Sequence, residues 1–295
     1  MRRLRPHLAR RAAASVVAWM AVTIAACERV VSITLPTAES RLVVEARLER
    51  RQDAPADGRQ TVRLTTTDAY FADREPPPAR GARVRVREAE GRTVTLVERA
   101  AEPGVYATNE LPVALGRPYT LEIDWEGERY EAQETALVAP PIDGLFLAPR
   151  TGQRGPREGA RATVAFRDPP SERNYYLWDQ YVAGVRIVAP DSTLRTRAVS
   201  SDVLFDGLRV AGFQPYDGVA VPPDAAVVVQ QIAIPEAAYR YYLALSEQTG
   251  NDGSPFGVPA ASVRGNVANR TRPARRALGY FLVVDVATAR LSGRP

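Results

Sequence analysis

The thiol of Cys27 is the side chain whose chemical type and position most clearly predict a reaction. Cys27 is the only cysteine among the 295 residues, and it directly follows Ile24, Ala25 and Ala26. A thiol is the group needed to form a thioether with a lipid, and small side chains before it suit entry into a peptidase. The pattern therefore predicts lipid attachment to Cys27 and cleavage on its N-terminal side.

Residues 1–26 have the composition of an export signal. Residues 2–11 form an arginine-rich basic region, and residues 12–26 form an uncharged, mostly apolar run of 15 residues. That run is shorter than the ~20 residues of a typical spanning helix and suits a signal peptide. With Cys27, the segment resembles the lipobox of bacterial lipoproteins, where signal peptidase II cleaves and two or three acyl chains give a firm membrane anchor. An ordinary secretory signal and a single anchoring helix are the alternatives.

The composition after residue 27 excludes several classes of enzyme. The sequence has no lysine, and its only histidine, His7, lies in the predicted signal. Catalysis by Ser-His-Asp or Cys-His groups, zinc sites built on His or Cys, and phosphate loops are therefore not expected, nor is an internal disulfide. Five of the 39 basic residues and none of the 34 acids precede Cys27, so the rest has no net charge to attract nucleic acid. We expect neither an enzyme nor a resident cofactor.

Two clusters of side chains are candidates for contact with a ligand or partner. The first is aromatic and consists of Tyr175, Tyr176, Trp178 and Tyr181. On a strand, Tyr175 and Tyr181 share one face and the other two share the opposite face, where they would stack on sugars or a peptide, or pack in a core. The second is basic, for contact with acidic lipopolysaccharide groups or a partner, or as a solvated loop, and consists of Arg270, Arg272, Arg275 and Arg276.

Carboxylate side chains suggest two further kinds of site. Asp168 and Asp179 are candidates for the pair of acids that a glycosidase needs, although sequence spacing alone does not bring them together. The run from Asn251 to Ser254 offers oxygen ligands for calcium, but it contains a single acid, Asp252, and a turn after a helix is the simpler interpretation. We therefore expect no metal site.

The spacing of strand and turn signals predicts a mainly β protein with two domains. A tether at 27–40 leads to a β-sandwich at 41–139, where seven short alternating segments are separated by turns. Ala139-Pro140-Pro141 indicates a linker. A second β-rich domain follows at 140–295, with one helix near 236–249, where apolar residues recur at helical spacing from Ala238 to Leu245.

Several fragments, in order, resemble one bacterial family. They are Arg41-Leu42-Val43-Val44-Glu45, Gly81-Ala82-Arg83-Val84-Arg85-Val86, Pro103-Gly104-Val105-Tyr106, Pro140-Pro141-Ile142-Asp143, Phe166-Arg167-Asp168-Pro169, Asn174-Tyr175-Tyr176, Tyr239-Arg240-Tyr241-Tyr242, Ser254-Pro255-Phe256, Gly265-Asn266-Val267 and Gly279-Tyr280-Phe281. The family is catalogued as domain of unknown function 4249. The resemblance implies an envelope lipoprotein of Gram-negative bacteria, often encoded beside TonB-dependent receptors, with an immunoglobulin-like or transthyretin-like first domain. We expect the outer membrane as its location. It transfers no catalytic residue.

These features lead to three hypotheses of function. The first is a non-enzymatic accessory or binding module of an outer-membrane transport system, anchored in the cell envelope and in contact with a TonB-dependent receptor. The second is a carboxylate-dependent hydrolase acting on envelope glycans. The third is a structural or adhesion module. The predicted anchor, the β-rich domains and the missing catalytic residues support the first hypothesis.

Overall fold

The computed structural model describes residues 39–68, 74–89, 91–149, 159–187, 198–250 and 263–293. The predicted signal peptide, the tether up to residue 38, the lipidation residue Cys27 and the run from Asn251 to Ser254 lie outside these ranges. No helix of the described residues is long and apolar enough to cross a membrane.

Sixteen strands and one helix make up the described chain. The strands are β1 (Leu42–Arg51), β2 (Gln60–Thr66), β3 (Arg83–Glu88), β4 (Thr93–Arg99), β5 (Glu102–Thr108), β6 (Pro118–Trp125), β7 (Glu128–Thr135), β8 (Ile142–Pro149), β9 (Ala160–Arg167), β10 (Tyr175–Val182), β11 (Val185–Arg186), β12 (Ala198–Ser201), β13 (Arg209–Phe213), β14 (Val227–Ala233), β15 (Ala268–Asn269) and β16 (Leu278–Leu291). The helix, α1, spans Glu236–Gly250.

Strands β1 to β7 form the first sandwich, together with β15 and the start of β16. The hydrogen-bonded order runs β16-β1-β2-β5-β4-β3-β6-β7-β15, and the path curls over so that its two ends face each other across one core. Alternate residues of each strand point inward, as Leu42, Val44, Ala46 and Leu48 of β1 do. Their burial explains why the alternating segments fold as a sandwich.

Strand β16 is shared by both parts of the molecule. On one edge it pairs in parallel with β1, from Val43 opposite Leu278 to Arg51 opposite Val286. On the other edge its C-terminal part pairs antiparallel with β14. Gly279 lies where β16 begins, with a positive φ of 86° and its Cα against the backbone of Val44, so a side chain there would clash.

The second sandwich lies on the other side of β16. The small sheet β13-β9-β8 packs on the face of β10 and β14 that carries Tyr176 and Trp178. Phe166 is in the centre, with ring centroids 5.8 Å from Tyr176 and 5.7 Å from Trp178. Helix α1 covers the opposite face of the sheet, where Ala238 and Tyr242 pack against residues of β10, β14 and β16.

The expected mainly β class is confirmed, and β15 and the start of β16 add to β1 to β7 in the first sandwich. The helix predicted near 236–249 is α1. The predicted linker lies between β7 and β8, and its Ala139 is held by Asp285 of β16, whose Oδ2 accepts from Ala139 N at 3.1 Å and from Gln52 Nε2 at 2.9 Å. The division at residue 139 stays a prediction, while β16 joins the strands on its two sides into one hydrogen-bonded sheet.

Candidate functional site

A cleft of about 620 Å³ opens between α1 and the outer face of the first sandwich. Its floor comes from the residues of β1 that point away from the sandwich core, because strand residues alternate between faces. Val43, Glu45 and Arg47 lie there beside Tyr280 and Leu282 of β16. The alternation that builds the core of the first sandwich therefore also places these side chains in the cleft.

One wall of the cleft is aromatic and apolar. Tyr241, Tyr242 and Leu245 of α1 face the floor because they lie on one side of the helix. The ring of Tyr241 contacts those of Tyr242 and Tyr280, with centroids 5.2 and 5.0 Å apart. Burial, followed by the nearby Glu134 and the two helix tyrosines, raises the pKa of Tyr280, so its hydroxyl stays protonated at neutral pH. This wall offers ring faces and neutral hydroxyls.

The end of the cleft away from α1 carries a buried charged network. Arg47 Nη1 donates to Asp179 Oδ2 at 2.6 Å, and Arg47 Nε donates to Glu49 Oε1 at 2.6 Å. Arg186 Nη2 donates to the other oxygen of Asp179 at 2.5 Å. Asp179 itself is fully buried. Burial disfavours the charge on Arg47, but Glu49 and Asp179 outweigh that effect and raise the pKa of the guanidinium.

Arg63 is the cleft arginine with the weakest ion pair. Its Nη2 lies 3.8 Å from Glu75, a side chain that is 91% exposed. Such a pair contributes little and is easily exchanged for another anion. The cleft therefore combines an aromatic wall, a floor of apolar and charged side chains, and an arginine available to a negatively charged group.

The structure separates the four predicted aromatic contact residues. As expected, Tyr175 and Tyr181 share one face of β10, and Tyr176 and Trp178 share the other. Tyr176 and Trp178 are fully buried in the second sandwich, so they are core residues and the predicted contact through them is wrong. Tyr175 packs on Tyr239 of α1, with centroids 4.9 Å apart. Contact through the partly buried Tyr175 and Tyr181 stays a prediction.

The predicted basic cluster is tied to β7 through carboxylates. Arg272 and Arg275 form ion pairs with Glu128, which is 5% exposed, and Arg270 Nη2 lies 2.7 Å from Glu131. The side chain of Arg276 is exposed and forms no ion pair with a carboxylate among the residues that the structure describes. Three of the four arginines therefore fasten their loop to the first sandwich, and contact of the cluster with a partner stays a prediction.

The two acids weighed as a hydrolytic pair belong to separate networks. Asp179 is held by Arg47 and Arg186, whereas Asp168 accepts from Tyr176 Oη at 2.5 Å. Neither acid lines the cleft. The structure does not bring them together at a surface where a glycan would bind.

Sequence reasoning missed the cleft because its walls come from distant segments. The helix residues Tyr241, Tyr242 and Leu245 were expected only as a packing face. The polar face of β1 had the pattern of a solvent-exposed surface. A usable signal was Asp179, a lone acid within an otherwise apolar and aromatic strand, since such a residue needs a buried cation.

The fold and the cleft define a mainly β protein of two sandwiches with a ligand-sized groove beside its single described helix. The chain belongs to the family described as domain of unknown function (DUF4249), whose model matches residues 28–290. No protein with a curated description matches the chain. Among solved structures, it is similar to a segment of two fibronectin type-III domains from chicken tenascin, at 15% identity and a TM-score of 0.18, over 60% of this chain and 86% of that one.

Proposed function

We propose that this protein is a non-enzymatic binding module of the bacterial cell envelope, and that the cleft beside α1 holds its ligand. The module is anchored in the outer membrane by lipid on Cys27 and works beside a TonB-dependent receptor. The cleft is the observation that carries the proposal. The lipobox-like segment and the resemblance to envelope lipoproteins support the anchor and the neighbouring receptor.

The dimensions and lining of the cleft support a small ligand. Binding sites for small molecules are typically concave, about 300–1,000 Å³ in volume, and mostly apolar with a few polar groups. The cleft of about 620 Å³ falls in this range. The rings of Tyr241, Tyr242 and Tyr280 favour a ligand with a ring or a flat apolar body. Arg63 favours a negatively charged group on that ligand.

The cationic groups of the cleft act by binding and not by proton transfer. Arg47 and Arg186 both bind Asp179, and an arginine side chain does not exchange protons at neutral pH. The only acid of the network that is fully buried, Asp179, accepts from both of them. The three arginines of the cleft can therefore hold a negatively charged group by charge and hydrogen bonds.

A cleft-filling variant tests the binding site. Leu245→Trp places a large ring in the cleft, whereas Leu243→Trp adds the same ring on the exposed side of α1, where Leu243 is 39% exposed. The probe is 8-anilinonaphthalene-1-sulfonate, which joins an aromatic body to an anion. We expect the unmodified chain and Leu243→Trp to bind it equally, and Leu245→Trp to bind about tenfold more weakly.

Two results would contradict the cleft as the site. One is equal binding of the probe by both tryptophan variants, and the other is no binding by the unmodified chain. Near-ultraviolet circular dichroism of both variants shows whether each keeps native packing, because the probe also binds loosely packed states.

The anchor and the receptor need experiments in cells. We expect Cys27→Ser to abolish labelling by a palmitate analogue and to release the protein from the membrane fraction. Co-purification of the tagged wild-type chain after mild detergent extraction should recover a TonB-dependent receptor, identified by mass spectrometry. A Cys27→Ser chain that is still labelled, or a wild-type chain recovered without any barrel protein, would count against this part of the proposal.

A further inference from the structure

Three aspartates from two separate loops converge at one edge of the second sandwich. Asp168 directly follows β9, and Asp202 directly follows β12 and opens the turn that also carries Asp206. One carboxylate oxygen of each lies within 4.8 Å of those of the other two. Asp168 is fully buried and Asp202 is 1% exposed, while Asp206 faces solvent. Nothing in the cleft or its charged network involves these three residues.

Hydrogen bonds hold the two inner carboxylates but leave one oxygen without a donor. Asp168 Oδ1 accepts from Tyr176 Oη at 2.5 Å, and its Oδ2 accepts from Gly207 N at 3.1 Å. Asp202 Oδ2 accepts from Asn174 N at 2.7 Å. Asp202 Oδ1 is buried and accepts no hydrogen bond from any residue that the structure describes. A buried carboxylate oxygen that accepts no hydrogen bond destabilises the folded protein.

The local charge is not balanced by the protein. Among the described residues, the cation that pairs with the group is Arg173. Its Nε is 3.7 Å from Asp202 Oδ1, beyond hydrogen-bond distance, and its side chain is 58% exposed. Burial, together with the negative charges of Asp202 and Asp206, raises the pKa of Asp168. Three carboxylates and one half-exposed arginine therefore leave an excess of negative charge in a largely buried place.

We infer that Asp168, Asp202 and Asp206 bind a hard divalent cation. The donors are all carboxylate oxygens, which suit Ca²⁺ and Mg²⁺ and not metals that prefer sulfur or imidazole. Ca²⁺ suits them better, because it takes about six to eight oxygens in flexible geometry, whereas Mg²⁺ needs a strict octahedron. A lone pair remains on each hydrogen-bonded oxygen, so the existing contacts with Tyr176, Gly207 and Asn174 are compatible with ligation.

The cation would cross-link two loops that are otherwise held together by hydrogen bonds, such as those from Asp168 N to Leu208 O and from Asp202 N to Asn174 O. Asp168 belongs to the loop between β9 and β10, and Asp202 and Asp206 belong to the turn between β12 and β13. Ser171 N donates to Asp206 Oδ1 at 3.0 Å, so the loops already touch at this point. Binding would stabilise this edge of the second sandwich, since a ligand that binds only the folded state raises its stability.

Terbium luminescence and thermal unfolding of the mature chain test the inference. Tb³⁺ replaces Ca²⁺ at oxygen sites and is excited through a nearby aromatic ring, here Tyr176, which donates to Asp168. We expect sensitised emission that Ca²⁺ displaces, and a melting temperature that rises with Ca²⁺ and falls with chelator. Asp206→Asn should weaken Ca²⁺ binding more than tenfold, because it removes one of three charged ligands.

Asp224→Asn is the matched control, because Asp224 is an exposed aspartate of the turn before β14, outside the group. It should bind Ca²⁺ as the unmodified chain does. In chelator, Asp206→Asn should melt no lower than the unmodified chain, since asparagine still accepts from Ser171 N and removes a repelling charge. A purely structural Asp206 would instead lower the melting temperature equally with and without Ca²⁺. That result, or a melting temperature indifferent to Ca²⁺, Mg²⁺ and chelator, would overturn the inference.

Discussion

In the first sandwich the buried polar side chains have partners, whereas in the second several lie unpaired among aromatic rings. Gln60 of β2 is 2% exposed, and its amide bonds to the backbone of Glu49 and to Leu111 O at 2.8–3.0 Å. Gln180 and Gln231 of the second sandwich are fully buried, and their amide oxygens and nitrogens have no hydrogen-bond partner among the described residues. The cost of burying a polar group depends on whether it is paired.

This difference indicates that the two sandwiches have different roles, one in stability and the other in binding. A core whose polar groups are satisfied contributes stability. Buried acids and amides that remain unsatisfied or need distant arginines lower stability, and they are kept in a protein where they serve a site. The cleft network and the three-aspartate group both involve residues of the second sandwich, which is where we expect ligands to act.

The largest effect should follow from removing Asp179. Asp179→Ala leaves Arg47 and Arg186 without their shared carboxylate, and we expect a loss of about 3 kcal/mol in the free energy of unfolding. In the first sandwich, Glu122 pairs with Arg85, Arg87 and Arg129, whose side chains are 29–50% exposed. Glu122→Ala should therefore cost only about 1 kcal/mol or less.

Urea denaturation of both variants measures the difference in the free energy of unfolding. Asp179→Asn is the companion variant, because it keeps an acceptor and removes the charge, and it should fall between the other two. Equal losses in the free energy of unfolding for Asp179→Ala and Glu122→Ala would show that breaking the network around Asp179 costs no more than breaking a surface network.

Gln60 and Gln231 allow the same substitution in both sandwiches, with opposite expected signs. Gln60→Met leaves the N–H and C=O of Glu49 and the C=O of Leu111 without partners and should cost about 2–3 kcal/mol. Gln231→Met removes an amide that has no partner among the described residues, and should be neutral or stabilise the protein by about 1 kcal/mol. Thermal and urea unfolding measure both. A comparable loss for Gln231→Met would reveal an ordered water that satisfies its amide.

The sequence was sufficient for the elements whose signals are local. The seven alternating segments of residues 41–139 correspond to β1 to β7. Alternation and helical spacing are patterns that span only a few residues, so they can be recognised in the sequence without knowledge of the fold. The two-residue strand β15 is too short to leave such a pattern.

Non-local pairing could not be predicted. Nothing in β1 specifies that its partner is the strand beginning at Leu278, or that Arg47 meets an acid in β10. Both are consequences of topology, and the three-aspartate group arises in the same way from two loops. Asp179 and Asp285, acids within apolar strands, were the available hints that buried cations lie opposite them.

The smallest effect concerns Glu98 of the first sandwich and its dependence on pH. Its carboxylate accepts from Gly104 N and Gly81 N, both at 2.8 Å, and these bonds lower the pKa of Glu98. A lowered pKa in the folded state contributes stability at neutral pH that is lost as the pH falls through that pKa. Glu98→Gln turns an amide NH₂ toward one of the donors, and should cost about 1 kcal/mol at neutral pH.

At an acidic pH below the lowered pKa of Glu98, Glu98→Gln should be nearly as stable as the unmodified chain. Urea midpoints at the two pH values measure the effect. Glu102→Gln is the control, because Glu102 is 55% exposed and pairs only with a half-exposed Arg99. If the cost of Glu98→Gln does not shrink on acidification, the two backbone bonds do not depend on the carboxylate charge.

The parallel pairing of β1 with β16 determines the order in which the chain can become native. When the N-terminal part of the chain is available first, β1 cannot pair on this edge, because its partner strand begins only at Leu278. Contacts between residues so far apart in sequence close slowly. Until β16 arrives, one edge of β1 is unpaired and open to association with other chains. The last long strand therefore controls when the first sandwich is complete, and chaperones that hold the emerging chain should matter most in that interval.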